Sequence, residues 1–268
     1  MTIGLLILWM GLSAQVATDC TIASGDNSTA MGQGTTASAS TSTAMGLKTT
    51  ASGPVSTAMG RGTTASGFAS TAMGSVTIAS GMWSTAMGLE TIASDFASLS
   101  IGQWNKSNAT VTSGGTATKY SAKTSFVIGN GTADNARSDA FKVMFNGDAT
   151  VSKDLTVNGV VNTSSDARLK TDIMSLGGTL TKLLLIDGKS YTTIKDGRQT
   201  IGVLAQDIQE VFPELVTTDD NDMLAVNYQG LVPVLINALK EQQAEIDKLK
   251  EQEERIARLE AMIAEMNK

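Results

Sequence analysis

"STAMGLKTTASGPVSTAMGRGTTASG", Ser42 to Gly67, holds two successive copies of a motif that decides the fold of the first half of the chain. STAMG begins at Ser28, Ser42, Ser56, Ser70 and Ser84, with a decayed copy, SLSIG, at Ser98. Between these copies lies a second motif, TIASG, TTASA, TTASG or TIASD, starting at Thr21, Thr35, Thr49, Thr63, Thr77 and Thr91. The period is fourteen residues, made of two similar halves of seven. A seven-residue spacing suggests a coiled coil, but Gly25, Gly32, Gly46, Gly53 and Gly60 interrupt it and no large apolar seam runs through it. Each glycine would cost a helix about 1 kcal/mol. Short strands of four or five residues, each ended by a glycine turn, fit instead. A flexible Ser/Gly linker would not keep so strict a register.

Alternation along such strands sorts the side chains onto two faces. Ala23, Ala30, Ala37, Ala44, Ala51 and Ala58 fall on one; Met31, Met45, Met59, Met73 and Met87, with Ile22, Ile78 and Ile92, fall on the other. Stacked repeats then form a thin coil with an alanine interior, and its Met/Ile face stays wet in a single chain. Self-association is the physical remedy. This alternation resembles the head repeats of YadA-like trimeric adhesins over about Thr21 to Gly102. The resemblance implies a parallel β-roll, a solenoid of 14-residue repeats, with three chains packed side by side.

Residues 103–164 are less regular and read as a β-rich stalk, also trimeric. Its strand-like pieces are Ser125 to Ile128, Phe141 to Phe145, Thr150 to Val151 and Leu155 to Val161, separated by turn signals such as FNGD and VNGV. Residues 1–20 read either as a removed secretory signal or as an N-terminal strand, and their apolar run is too short to span a membrane. The NST, NKS, NAT and NTS triplets match glycosylation sequons, as so Ser/Thr-rich a chain produces by chance.

After Thr163 the repeats stop and an α/β pattern begins. LTKLLLIDGKSYTTI reads as a helix turning into a strand, and GRQTIGVLAQDIQEVFPELV as a strand followed by a helix stopped near Pro213. DMLAVNYQGLVPVLINALKEQQ reads as a strand leading into a helix that continues to Lys268. Leu239, Ile246, Leu249, Ile256, Leu259, Ile263 and Met266 share one face of that helix, the pattern of a long coiled coil over residues 243–268.

The composition closes several other avenues. The chain has 268 residues, no histidine, one cysteine (Cys20) and a net charge of −6. No basic stripe favours nucleic acid, and no cofactor or metal is expected: without histidine or a CxxC pair, zinc and haem have no ligand set. A Ser/His nucleophile is impossible, so any serine chemistry must use lysine.

One stretch offers that pair. SSDARLK, Ser164 to Lys170, places Ser165 five residues before Lys170. Taken alone, it reads as a helix N-terminus, with Ser165 as cap and Asp166 favouring the helix dipole. Three motifs in order change its meaning: SDARLKTDI (Ser165 to Ile173), GVLAQDIQEVFPELV (Gly202 to Val216) and AVNYQGLVPVLINALKEQ (Ala225 to Gln242). Together they resemble the peptidase S74 domain, the intramolecular chaperone of endosialidases, phage tail fibres and tailspikes, here over residues 165–242. Gln206, Pro213, Tyr228 and Leu231 match its pattern too and read as core and turn residues.

The resemblance implies that this domain trimerises the fibre ahead of it and then cuts itself off between Ser164 and Ser165, with Ser165 and Lys170 as catalytic pair and Asp166 and Arg168 as supporting residues. Ser165 Oγ lies near the carbonyl of Ser164, so attack would be intramolecular. Lys170 must be neutral to accept the proton, which demands roughly 4 kcal/mol of help from burial or a nearby cation. Arg168 could supply that cation if the fold turns it inward, and Asp166 reads as a turn stabiliser. The expected partners are two further copies of the chain and a surface receptor or glycan, the setting a virion tail fibre or a secreted or cell-surface protein. The rival reading is a structural fibre whose C-terminal domain stays attached as a permanent clamp. An enzyme acting on an external glycan lacks a plausible acid pair.

Overall fold

The computed structural model describes residues 14–17, 20–106, 123–194, 196–218 and 222–266. It divides into two compact units, Met1–Val161 and Asn162–Lys268. The N-terminal leader reading falls mostly on residues outside this description; within it, Ala14–Ala17 is a strand paired in parallel with Thr29–Gln33.

The first unit is a β-solenoid of about six turns. Each turn contributes one five-residue strand (Thr29–Gln33, Thr43–Leu47, Thr57–Arg61, Thr71–Ser75, Thr85–Leu89, Leu99–Gln103) to one parallel sheet. Each also contributes one two-residue strand (Ile22–Ala23, Thr36–Ala37, Thr50–Ala51, Thr64–Ala65, Ile78–Ala79, Ile92–Ala93) to a second parallel sheet. Through the five STAMG copies the register is the repeat itself, with Ala30 opposite Ala44, Ala44 opposite Ala58 and Met59 opposite Met73. The alanines from Ala30 to Ala93 form the buried core, and the methionines lie on the opposite, partly exposed face, as the alternation requires.

Ser and Thr also point inward. Ser28, Thr35, Ser42, Thr49 and their successors sit two residues before each core alanine and are buried. Ser42, Ser70, Ser84 and Ser98 donate to the carbonyl three residues earlier, at 2.7 to 2.8 Å. The Thr35, Thr49, Thr63 and Thr77 hydroxyls have no partner among the described residues.

The rungs approach so closely that some positions admit only glycine. A Cβ on Gly60, at φ +118°, would lie 2.0 Å from the Gly74 carbonyl oxygen. Other corners use left-handed residues that have side chains: Thr41, Val55, Ala69, Trp83 and Ala97 share one repeat position, and each backbone N–H bonds the carbonyl fifteen residues earlier.

The coil ends in a side-chain cap. Within the second sheet each short strand donates to the next rung, as Ile78 N does to Thr91 O; Ile92 has no such rung and donates instead to Asn105 Oδ1 at 2.8 Å. Asn105 stands fourteen residues after Thr91, is 1% exposed, and returns a bond from Nδ2 to Ile92 O at 2.9 Å. Its place in an NKS sequon is therefore incompatible with a glycan on the folded head. Thr124–Asn130 then joins the long-strand sheet parallel to Leu99–Gln103, followed by antiparallel Asp139–Met144 and Ala149–Val151.

One expectation fails. Leu155 to Val161 is not a strand: it is coil, with Leu155 71% and Val160 83% exposed. Its residues alternate suitably, but among the described residues no strand pairs with it, and a strand needs a ladder partner for its backbone groups.

The second unit is small. Two antiparallel hairpins, Lys189–Thr192 with Gln199–Gly202 and Val216–Thr218 with Leu224–Val226, accompany helices α1 (Thr179–Leu183), α2 (Ala205–Val211) and α3 (Leu231–Met266). The expected order of elements is present, with α2 stopping just before Pro213. Ile208, Phe212 and Val234 form the core, flanked by Leu183, Val203, Leu215 and Val226. Helix α1 follows the left-handed Gly178, which cannot cap it; Glu241 of α3 does so, accepting from Thr179 N at 2.9 Å and Leu180 N at 3.0 Å. These bonds hold the Glu241 carboxyl below its ordinary range. Beyond Ala238 the α3 face of Leu239, Ile246, Leu249, Ile256, Leu259 and Ile263 is exposed.

Candidate functional site

SSDARLK forms a tight turn near the start of the second unit. Ala167–Leu169 is one turn of 3-10 helix, closed by bonds from Leu169 N to Asp166 O and from Lys170 N to Ala167 O, each 3.1 Å. The cap is Asp166, whose Oδ1 accepts from Arg168 N at 2.9 Å, and not Ser165 as the helix reading of the stretch has it. An Asp side chain reaches the N–H two residues on, which leaves the Ser165 hydroxyl for another partner.

That partner is Lys170. Its Nζ donates to Ser165 Oγ at 2.6 Å and to Ser165 O at 3.1 Å. The turn thus brings together the two side chains that the sequence singles out. All residues from Ser164 to Lys170 are exposed in the single chain. So are Leu169, Ile173 and Met174, an apolar fringe on either side of the lysine.

Arg168 does not turn inward. Its side chain is 88% exposed and clasps Asp166, with Nη2 to Oδ2 at 2.6 Å and Nε to both oxygens at 3.1 Å. The inward-facing cation is thereby corrected: the Asp166 carboxylate sits nearer to it in sequence and holds it in solvent. The guanidinium keeps the Asp166 carboxyl below the usual carboxylate range, and Asp166 keeps Arg168 above its own ordinary value.

Upstream of Ser164, Thr163 Oγ1 donates to Gln229 Oε1 at 3.0 Å. Gln229 lies in the 3-10 turn Tyr228–Gly230 that leads into α3, so the residue before the SS pair is tied to the start of the long helix. Sequence reasoning passed over Gln229 because a lone amide in a turn carries no chemical signature. Tyr228 has a structural role, its hydroxyl accepting from Val203 N at 3.3 Å.

Among the described residues there is no group of three or more acidic or cysteine side chains that could hold a metal, and no helix is long and apolar enough to cross a membrane. Cys20 is exposed.

No protein in the curated collection of known sequences matches the chain. Residues 165–217 match the peptidase S74 family, described as the chaperone of endosialidase, and the match starts at Ser165. Residues 23–91 match the YadA head domain repeat in four overlapping windows, 23–49, 37–63, 51–75 and 65–91. The chain therefore joins two recognised parts, a head similar to the YadA repeat and a C-terminal segment similar to the endosialidase chaperone.

Proposed function

We propose that this chain is a trimeric fibre or adhesin-like protein whose C-terminal unit promotes assembly and then severs itself between Ser164 and Ser165. The observation that carries this reading is the 2.6 Å contact between Lys170 Nζ and Ser165 Oγ, in a turn with which the chaperone match begins.

The chemistry follows from that contact. As drawn, an ammonium donates to a hydroxyl, which orients the serine without activating it. Once Lys170 loses a proton the direction reverses: Nζ accepts the Oγ proton while Oγ attacks the Ser164 carbonyl carbon. The C–N bond breaks, the Ser165 nitrogen takes the proton, and the Ser164 acyl group is left as an ester on Oγ. Water then hydrolyses the ester to a Ser164 carboxylate and a free Ser165 hydroxyl. The turn supplies proximity, and a neutral lysine is the missing condition.

Assembly can supply that condition. Covering Leu169, Ile173 and Met174 with another copy would take Lys170 out of water and favour its neutral form. The exposed apolar face of α3 and the Met face of the head both call for copies of the chain. Cleavage would then report completed assembly, releasing residues 165–268 from a fibre that ends at Ser164. The partners of the assembled head are surface receptors or glycans, and its setting is a virion tail or a cell surface.

The test is intact mass and denaturing gel mobility of the full chain. Wild type separates into two pieces at Ser164/Ser165, while Ser165→Ala and Lys170→Ala remain whole. Leu249→Ser/Ile256→Ser, which removes two exposed α3 side chains, gives monomers by light scattering and at least a tenfold loss of cleavage rate. An uncut wild type that still forms a cross-linkable trimer would leave the domain as a permanent clamp. Efficient cutting of a monomer would remove the gate.

A further inference from the structure

Asp166 poses a problem for any chemistry at Lys170. It stands four residues before the lysine in the same turn, and an ionised carboxylate free to swing toward Nζ would hold the ammonium in its charged form. The geometry shows what prevents this. Every side-chain oxygen of Asp166 is engaged elsewhere: Oδ1 accepts from Arg168 N and Nε, and Oδ2 from Arg168 Nε and Nη2. Lys170, meanwhile, points at Ser165.

We infer that Arg168 is a positioning residue that acts by occupying Asp166, so that the carboxylate caps the turn without pairing with Lys170. The i, i+2 spacing suits this division. Asp166 and Arg168 close on one another across the 3-10 turn, and Ser165 and Lys170 close across its two ends. The role is opposite in sense to a cation that repels the lysine's proton: Arg168 neutralises the group that would retain it. Asp166, Arg168 and Asp172 are the charged groups adjoining Lys170 along the chain. Asp172 lies beyond the turn, and its backbone is in the left-handed region. The inference rests on the self-cleavage reading for its functional meaning, but the charge arrangement can be measured without cleavage.

Two readouts separate the cases. In the full chain carrying Ser165→Ala, which cannot form the ester, the titration of Lys170 is followed by NMR of its Cε/Nζ group with and without Arg168→Ala. Freeing Asp166 is expected to move the Lys170 midpoint upward by about half to one pH unit, the size suited to an exposed pair, and adding Asp166→Asn to bring it back. In the cleavable chain, Arg168→Ala is expected to slow cutting at pH 7 about three- to tenfold and to displace the pH–rate profile to the alkaline side by the same interval. Arg168→Ala/Asp166→Asn restores both.

A Lys170 midpoint unmoved by Arg168→Ala, or a double variant no better than Arg168→Ala alone, overturns the inference. If the midpoint moves and returns as expected while the wild-type chain stays uncut, the charge arrangement stands and the self-cleavage reading falls.

Discussion

The two units solve the problem of burying surface in opposite ways. The head has almost no large side chains inside: its core is a column of alanines with serine and threonine beside them, and its backbone ladders run through every rung. The C-terminal unit has large side chains in abundance but encloses few, with Ile208, Phe212 and Val234 at its centre and the α3 leucines and isoleucines outside. The head gains from close approach of backbones, which depends on small residues and register. The C-terminal unit instead leaves much of its apolar surface uncovered in the single chain.

Substitutions that attack the head's close approach should have the largest effect on stability. Gly60→Ala places a methyl against the Gly74 carbonyl and strains a φ of +118°, so a loss of about 3 kcal/mol or more is expected, read by denaturant unfolding of the first unit's signal. An equivalent loss from Gly159→Ala, where a Cβ meets nothing within 4 Å, would show that crowding is not the reason. Asn105→Ala comes next. It removes the final rung's partner, leaving Ile92 N without its side-chain bond and Ile92 O with the Ser100 hydroxyl alone, for about 1–3 kcal/mol, seen as faster amide exchange at Ile92 before the rest of the sheet.

Thr49→Val reverses the sign. It replaces a buried, unpartnered hydroxyl by a methyl of the same shape, and a gain of about 1 kcal/mol is expected in the same unfolding experiment. The smallest effect sharpens the other side of the comparison. Glu241 caps α1 as a carboxylate and its carboxyl is held low, so its contribution is present above the ordinary carboxyl range and is lost as pH falls through its lower folded value. Glu241→Gln should therefore be less stable than wild type at pH 7, with the difference closing as pH falls through the lowered folded value. A difference that persists at low pH would point to packing rather than charge.

Much of this was legible in the sequence because repetition states the same fact many times. Alanine two residues after Ser28 or Thr35 carries little information once, but its recurrence through Ala93 gives strand, face and register together. The inward serines and threonines were harder: their hydroxyls suggest solvent, and only stacking of like on like shows that a narrow interior accepts them. Leu155 to Val161 misleads for the complementary reason, since alternation marks a capacity to pair and says nothing about whether a partner exists. At the turn, the spacing of Ser165 and Lys170 proved informative about contact. The orientation of Arg168 did not follow from spacing, because an adjacent carboxylate competes for the same guanidinium over a distance too short for sequence pattern to resolve.

Asn105 has a consequence for the size of the molecule. Each rung offers the next a template, and a lattice of this kind has no intrinsic terminus. A single amide, set where the next threonine would fall, imitates the following layer and closes the short-strand sheet. Insertion or deletion of one fourteen-residue unit ahead of it leaves the stop untouched and changes the head by one strand spacing, about 4.8 Å. The length of the head thus becomes a counted quantity, adjustable in whole steps by duplication of a short stretch of coding sequence.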